Sequence, residues 1–158
     1  MAKVLILYYS RTGNTEDMAK IIAEELKIKG QDVGLKAIKD VNLGDLETAD
    51  GVIIGSPTYY GTMAAQVKMF FDESVTMHGK LDGKVGAAFS SAANIAGGNE
   101  TTILDIINAM LIHGFIIQGD PKGSHYGPVA IGAPDERANK ECKRFADRFA
   151  KLLSRINI

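Results

Sequence analysis

The sequence predicts an α/β fold, an open and doubly wound parallel sheet formed by residues 1–158 as one domain. Three observations lead there. Apolar runs alternate with helix-period segments from one end of the chain to the other. The runs are continuous rather than alternating, as strands are when both faces of a sheet are covered. Loops of glycine, proline and hydroxyl residues follow three of the runs, at the strand ends where such sheets bind ligands.

Taken in order, KVLILYY (Lys3–Tyr9) is the first strand. Met18, Ile21, Ile22 and Leu26 then recur as the face of a helix laid on a sheet, with Gly30 as its stop. VGLKAI (Val33–Ile38) gives a weaker second strand and GVIIGS (Gly51–Ser56) a clearer third, cut off by Pro57. A helix over 64–77 follows, then KVGAAFSS (Lys84–Ser91) as the fourth strand. Ile103, Ile106, Ile107, Met110 and Leu111 mark the next helix, which ends at Gly114. FIIQG (Phe115–Gly119) is the fifth strand, resumed by PVAIG (Pro128–Gly132). Pro134 and Asp135 open a last helix on Cys142, Phe145, Phe149, Leu152 and Leu153.

Bulk properties narrow the functions available. Of 158 residues, 46% are apolar and 23% charged, which argues against disorder and a disulfide scaffold. A net charge of −1 with scattered basic residues gives no field to attract nucleic acid. No apolar run approaches about 20 residues, so no membrane span is expected. The single cysteine, Cys142, and the lack of a signal-peptide pattern lead to the expectation of a cytoplasmic protein.

The three loops carry the chemistry. In Ser10–Thr15, the side chains of Ser10, Thr12, Asn14 and Thr15 are short and polar, and Gly13 permits close backbone approach. The helix that follows directs free N–H groups and a partial positive charge at this loop, which suits a phosphate with Arg11 as its one cation. The competing reading is that Asn14 or Thr15 only caps the helix. A nucleoside triphosphatase loop would need a lysine, and the dinucleotide fingerprint three spaced glycines; neither is present. A phosphoacceptor receiver needs acids where Tyr8, Tyr9 and Ser10 stand. A terminal phosphate monoester fits better.

At this point a resemblance enters. ILYYSRTGNTEDMAKII resembles the N-terminal signature of flavodoxins, and GSPTYYGTMAAQVKMFFDE and LDGKVGAAFSSAANIAGGNETTILDIINAMLIHGFII resemble the WrbA branch of NAD(P)H:quinone oxidoreductases. With YGPVAIGAP, the resemblance covers nearly the whole chain. It implies a flavodoxin-like three-layer sandwich with five parallel strands in the order 2-1-3-4-5, and FMN as cofactor. Ser10, Arg11, Thr12, Gly13, Asn14 and Thr15 would hold the phosphate. Pro57, Thr58, Tyr59, Tyr60 and Gly61 would border the isoalloxazine, where an aromatic ring can stack. Ser90, Ser91, Ala92, Ala93, Asn94, Gly97 and Gly98 would face its pyrimidine side. The competing readings are a tyrosine pair capping the sheet edge and a flexible connection.

The resemblance further implies a diffusible NADH or NADPH donor, a quinone or other small acceptor, and a dimer or tetramer. The segments 56–62 and 90–99 contain no Asp or Glu. Carboxylates there would disfavour the anionic reduced ring, so their lack favours two-electron chemistry over a one-electron flavodoxin carrier, the alternative. Near-neutral charge points the same way, because carriers dock by acidic surfaces. The chain departs from the branch in lacking an insertion after the second strand, in having Met77-His78 in place of an aromatic, and in carrying Thr12.

Other residues are weighed singly. His113 matches a family histidine that contacts flavin, yet it lies at the far end of its helix and could reach only a neighbouring subunit's site; alternatively it serves helix-terminal carbonyls. Tyr126 either approaches the flavin, by the resemblance, or closes the sheet edge. Cys142 and Arg148 have phosphatase spacing without an anion loop, and the three histidines have no ligand spacing, so no metal is expected.

Overall fold

Residues 1–156 are described by the computed structural model. The chain runs β1 (Lys3–Tyr8), α1 (Asn14–Ile28), β2 (Asp32–Ala37), α2 (Leu43–Thr48), β3 (Gly51–Tyr59), β4 (Thr62–Met63), α3 (Ala65–Glu73), β5 (Val85–Ala92), α4 (Asn99–Ile112), β6 (Ile116–Ile117), β7 (Val129–Ile131) and α5 (Glu136–Ile156). Four parallel strands lie in the order β2-β1-β3-β5, and β6 and β7 both pair with the outer edge of β5. The expected order 2-1-3-4-5 therefore holds, with its fifth strand interrupted by residues 118–128 and a two-residue hairpin strand, β4, added to β3.

Burial explains why the strands read as continuous apolar runs. In β1, Val4 and Ile6 join the core under α1 and α5, with Met18, Ile22, Phe89 and Phe149. Leu5 and Leu7 point the other way, into a core with Val52, Ile54, Val67, Phe70, Ile103 and Met110. Period-two alternation thus feeds two apolar layers, and neither face needs a polar residue.

Three details differ from the sequence reading. Pro57 does not end the third strand: it stays in register with Ser91, and β3 continues into the hairpin, where Tyr59 faces Thr62. The helix expected over 64–77 stops at Glu73 and finishes as a 3₁₀ turn, Ser74–Met77. The short α2 was not foreseen, although its capping box is in the sequence: Asn42 Oδ1 accepts from Gly44 N–H at 3.0 Å, and Asp45 Oδ2 from Asn42 N–H at 3.1 Å. Cys142 is fully buried, and burial pushes its thiol up to about 12, which removes it as a nucleophile.

The interrupting segment is pinned to α5. Arg144 donates to both carboxylate oxygens of Asp120, at 2.7 and 2.8 Å, and Arg148 Nη2 donates to Gly119 O at 2.8 Å. The Arg144 hydrogen bonds hold the Asp120 carboxyl well below the usual carboxylate range. A pKa depressed on folding stabilises the fold above the unfolded value of about 4, and the contribution fades as pH falls towards the folded value. Asp120→Asn should therefore lower Tm by roughly 2–4 °C at pH 7. The gap to the natural protein should narrow in thermal melts taken stepwise from pH 5 to pH 2.

Candidate functional site

Loops 10–15, 57–62 and 90–98 sit together at the carboxyl ends of β1, β3 and β5. The first begins where β1 leaves the sheet. Gly13 takes φ +99°, a conformation that suits glycine, and a Cβ there would meet nothing within 4 Å. Helix α1 starts at Asn14 with no side-chain cap. The cap expected from Asn14 or Thr15 is absent, because both lie inside the helix and the N-cap position falls on Gly13, which has no side chain. Ser10 Oγ accepts from Gly13 N–H at 3.1 Å, and Thr15 Oγ1 lies 2.8 Å from Ser91 Oγ, both of these last residues being buried. Helix geometry thus leaves the first-turn N–H groups without intrahelical partners, facing an open glycine. Lys20, 2.8 Å from Glu16, offsets the nearest carboxylate.

The second loop is a tight hairpin. Tyr60 and Gly61 have φ +50° and +77°, the pair of positive angles such turns require. For tyrosine that conformation is strained, and its ring is wholly exposed. Tyr59, by contrast, packs edge-on against Tyr9 at 6.4 Å. The reading of a capping tyrosine pair therefore describes Tyr59 and not Tyr60.

The third loop is tied down at its two ends. Thr58 Oγ1 lies 3.0 Å from Ser90 Oγ, and Thr102 Oγ1 donates to Thr58 Oγ1 at 3.0 Å. Thr101 Oγ1 reaches the carbonyls of Gly61 and Gly98, at 2.5 and 2.9 Å. A Cβ on Gly98 would fall 2.7 Å from Gly61 Cα, so the second and third loops touch backbone to backbone. Above this base, Ala93 to Ala96 are exposed; Ala96 has φ +58° and Ile95 is 83% exposed. The hydroxyls of Thr101 and Thr102 were missed in the sequence, where the signal was the polar first turn NETT of α4.

This donor set fits a flat heteroaromatic ring with a phosphate tail. Uncapped amides stand beside an open glycine, an aromatic and an aliphatic side chain project above the loops, and no carboxylate belongs to the second or third loop. Asp105 of α4 does reach Thr62, whose hydroxyl donates to its carboxylate at the outer end of the hairpin.

Residues 6–102 match the family model described as Flavodoxin. The chain belongs to the flavodoxin family. A flavodoxin of Aquifex aeolicus is 38% identical over 163 positions, covering 98% of this chain and 88% of that protein. An NAD(P)H dehydrogenase (quinone) of Gluconacetobacter diazotrophicus is 35% identical over 185 positions, covering 94% and 93%. Among solved structures, a WrbA-like flavodoxin of Agrobacterium tumefaciens shares the fold at TM-score 0.84 with 24% identity, covering 98% and 99%. The alignment to the quinone dehydrogenase needs more positions to match fewer residues of this flavodoxin-family chain, so that relative carries segments absent here.

Two further site candidates stand on other elements. Tyr126 lines a cavity of about 30 Å³ with Gly86, Ala87 and Phe145, at the sheet edge. His113 caps the far end of α4, and its ring is buried in its own chain with Nε2 2.7 Å from Ser74 Oγ.

Proposed function

We propose that this chain holds FMN, with its phosphate on loop 10–15 and its ring between loops 57–62 and 90–98, and catalyses two-electron reduction of quinone-type acceptors by NADH or NADPH. When bound, FMN supplies a ring that takes two electrons from a nicotinamide and hands them to an acceptor. The observation that carries the reading is the make-up of the two ring-side loops, which offer amides and hydroxyls and no carboxylate. Such groups stabilise negative charge on a reduced ring, whereas acids would oppose it. Their hydroxyl stitching fixes these donors before ligand arrives. The printed names of quinone dehydrogenases among the relatives support the same activity.

A second reading, a one-electron carrier between protein partners, draws on the alignment lengths, since this chain matches flavodoxins with fewer gaps than quinone dehydrogenases. One anaerobic experiment separates them. With FMN-loaded protein, addition of NADH or NADPH should bleach the flavin absorbance within seconds, and a benzoquinone should restore it. If neither nicotinamide bleaches the protein and chemical titration halts at a stable one-electron form, the carrier reading replaces the reductase.

A further inference from the structure

Among the described residues, two that are not glycine take a positive φ: Tyr60 at +50° and Ala96 at +58°. Both stand on the ring-side loops. A conformation of this kind persists only where its surroundings over-determine it. For Tyr60 the compensation does not come from packing, because its ring is wholly exposed. Something else holds the turn in this form.

Helix α4 supplies the hold. Thr101 and Asp105 lie one turn apart on the same face of its first two turns, and both reach the hairpin. The Asp105 carboxylate accepts from the Thr62 hydroxyl, on the strand that leaves the turn. Thr101 Oγ1 faces two carbonyls, so it can only donate; the nearer is Gly61 O at 2.5 Å, in the turn itself, with Gly98 O at 2.9 Å. Because Tyr59 is paired with Thr62, only Tyr60 and Gly61 remain to close the chain. A two-residue turn of this hand needs a positive φ at both positions. Asparagine before glycine meets that demand at little cost, whereas tyrosine does not.

We propose that Thr101 is a positioning residue for the flavin ring. By tying the Gly61 carbonyl to α4, it keeps the hairpin in the tight form that stands Tyr60 off the surface. That side chain is thereby fixed next to the point where the second and third loops touch, Gly61 Cα against Gly98. The inference rests on the proposed placement of the ring between those loops. Without the tie, the Gly61 carbonyl turns to water and the turn relaxes towards a form in which Tyr60 regains a negative φ, away from the ring. Strain held in the ligand-free protein is then the counterpart of preorganisation, since a side chain already in place loses less freedom when ligand arrives.

Two variants of Thr101, an exposed residue, separate its donor from its shape. Thr101→Val keeps the shape and loses the donor, and should weaken FMN and riboflavin equally, by roughly fivefold in fluorescence titrations. Thr101→Ser keeps the donor and should bind both within about twofold of the natural protein. A double-mutant cycle with Tyr60→Gly then asks whether Thr101 acts through the strained turn. In flavin-free natural protein, Tyr60→Gly relieves the strain and should raise Tm by roughly 2 °C. In Thr101→Val, where the turn has already relaxed, it should leave Tm unchanged. Riboflavin binding should follow the same pattern, weakened by Tyr60→Gly in the natural protein and no further in Thr101→Val. The inference is overturned if Thr101→Val binds both flavins as the natural protein does, if Thr101→Ser fails to restore binding, or if the two substitutions act additively. A natural protein that binds neither flavin would bring down the proposed site and this inference together, whereas normal flavin binding with additive melts overturns the inference alone.

Discussion

Asn14→Asp should weaken FMN binding on the order of a hundredfold while leaving riboflavin binding unchanged. Asn14 is the first residue of α1 and is half-buried, and the substitution changes almost nothing but charge. A negative charge about 4 Å from a phosphate costs about 4 kcal/mol at the effective dielectric of a protein surface. Partial exposure reduces that to about 3 kcal/mol, or roughly two powers of ten in affinity. The fold is not at risk, because an aspartate in the first turn suits the helix dipole and stabilises the ligand-free protein slightly. Fluorescence titrations with FMN and riboflavin, at low and high salt, check this. The penalty should appear for FMN alone and shrink as salt rises. Equal weakening of both flavins would place the phosphate somewhere other than loop 10–15.

That experiment probes the part of the molecule most legible in the sequence. β1, β3 and β5 lie between two helical layers, so burial on both faces wrote them as unbroken apolar runs. β2 lies at the sheet edge with none of its residues fully buried, and its signal was correspondingly weak. The loops were legible as a group because each follows a buried strand, but their internal bonding was not. Thr15 bonds to Ser91, 76 residues away, and no local pattern carries that. The turn at Tyr60-Gly61 shows the same limit. A positive-φ pair between the end of β3 and β4 is a hairpin, yet in sequence the tyrosines read as ligand-facing aromatics or as a cap on the sheet edge. His113 is the converse case. Its place at the end of a helix was evident, while the Ser74 partner of its ring comes from a different element.

Gly127→Ala should lower stability by about 4 kcal/mol, a larger loss than any other single methyl discussed here. Gly127 has φ +150°, and a Cβ there would fall 2.1 Å from Ala88 O and 3.3 Å from Ala88 C. Those are backbone atoms of the fully buried centre of β5, paired to β3, so they cannot yield as a side-chain tip would. Overpacking costs about 1–3 kcal/mol and a strained backbone a similar amount, which together give the estimate and a fall in Tm on the order of 10 °C. Gly132→Ala separates the two causes. It too has a positive φ, +67°, but a Cβ there meets nothing within 4 Å, so strain alone should cost about 1 kcal/mol. The clash also has a functional consequence. Its cheapest relief is outward movement of segment 118–128, which pulls on β7, whose Val129–Ile131 pair with Ser90–Ala92 at the root of the third loop. FMN affinity should therefore fall in Gly127→Ala and hold in Gly132→Ala. Urea melts with flavin titrations on both variants test this. Equal losses in the two would mean that strand five does not resume against β5 at this register.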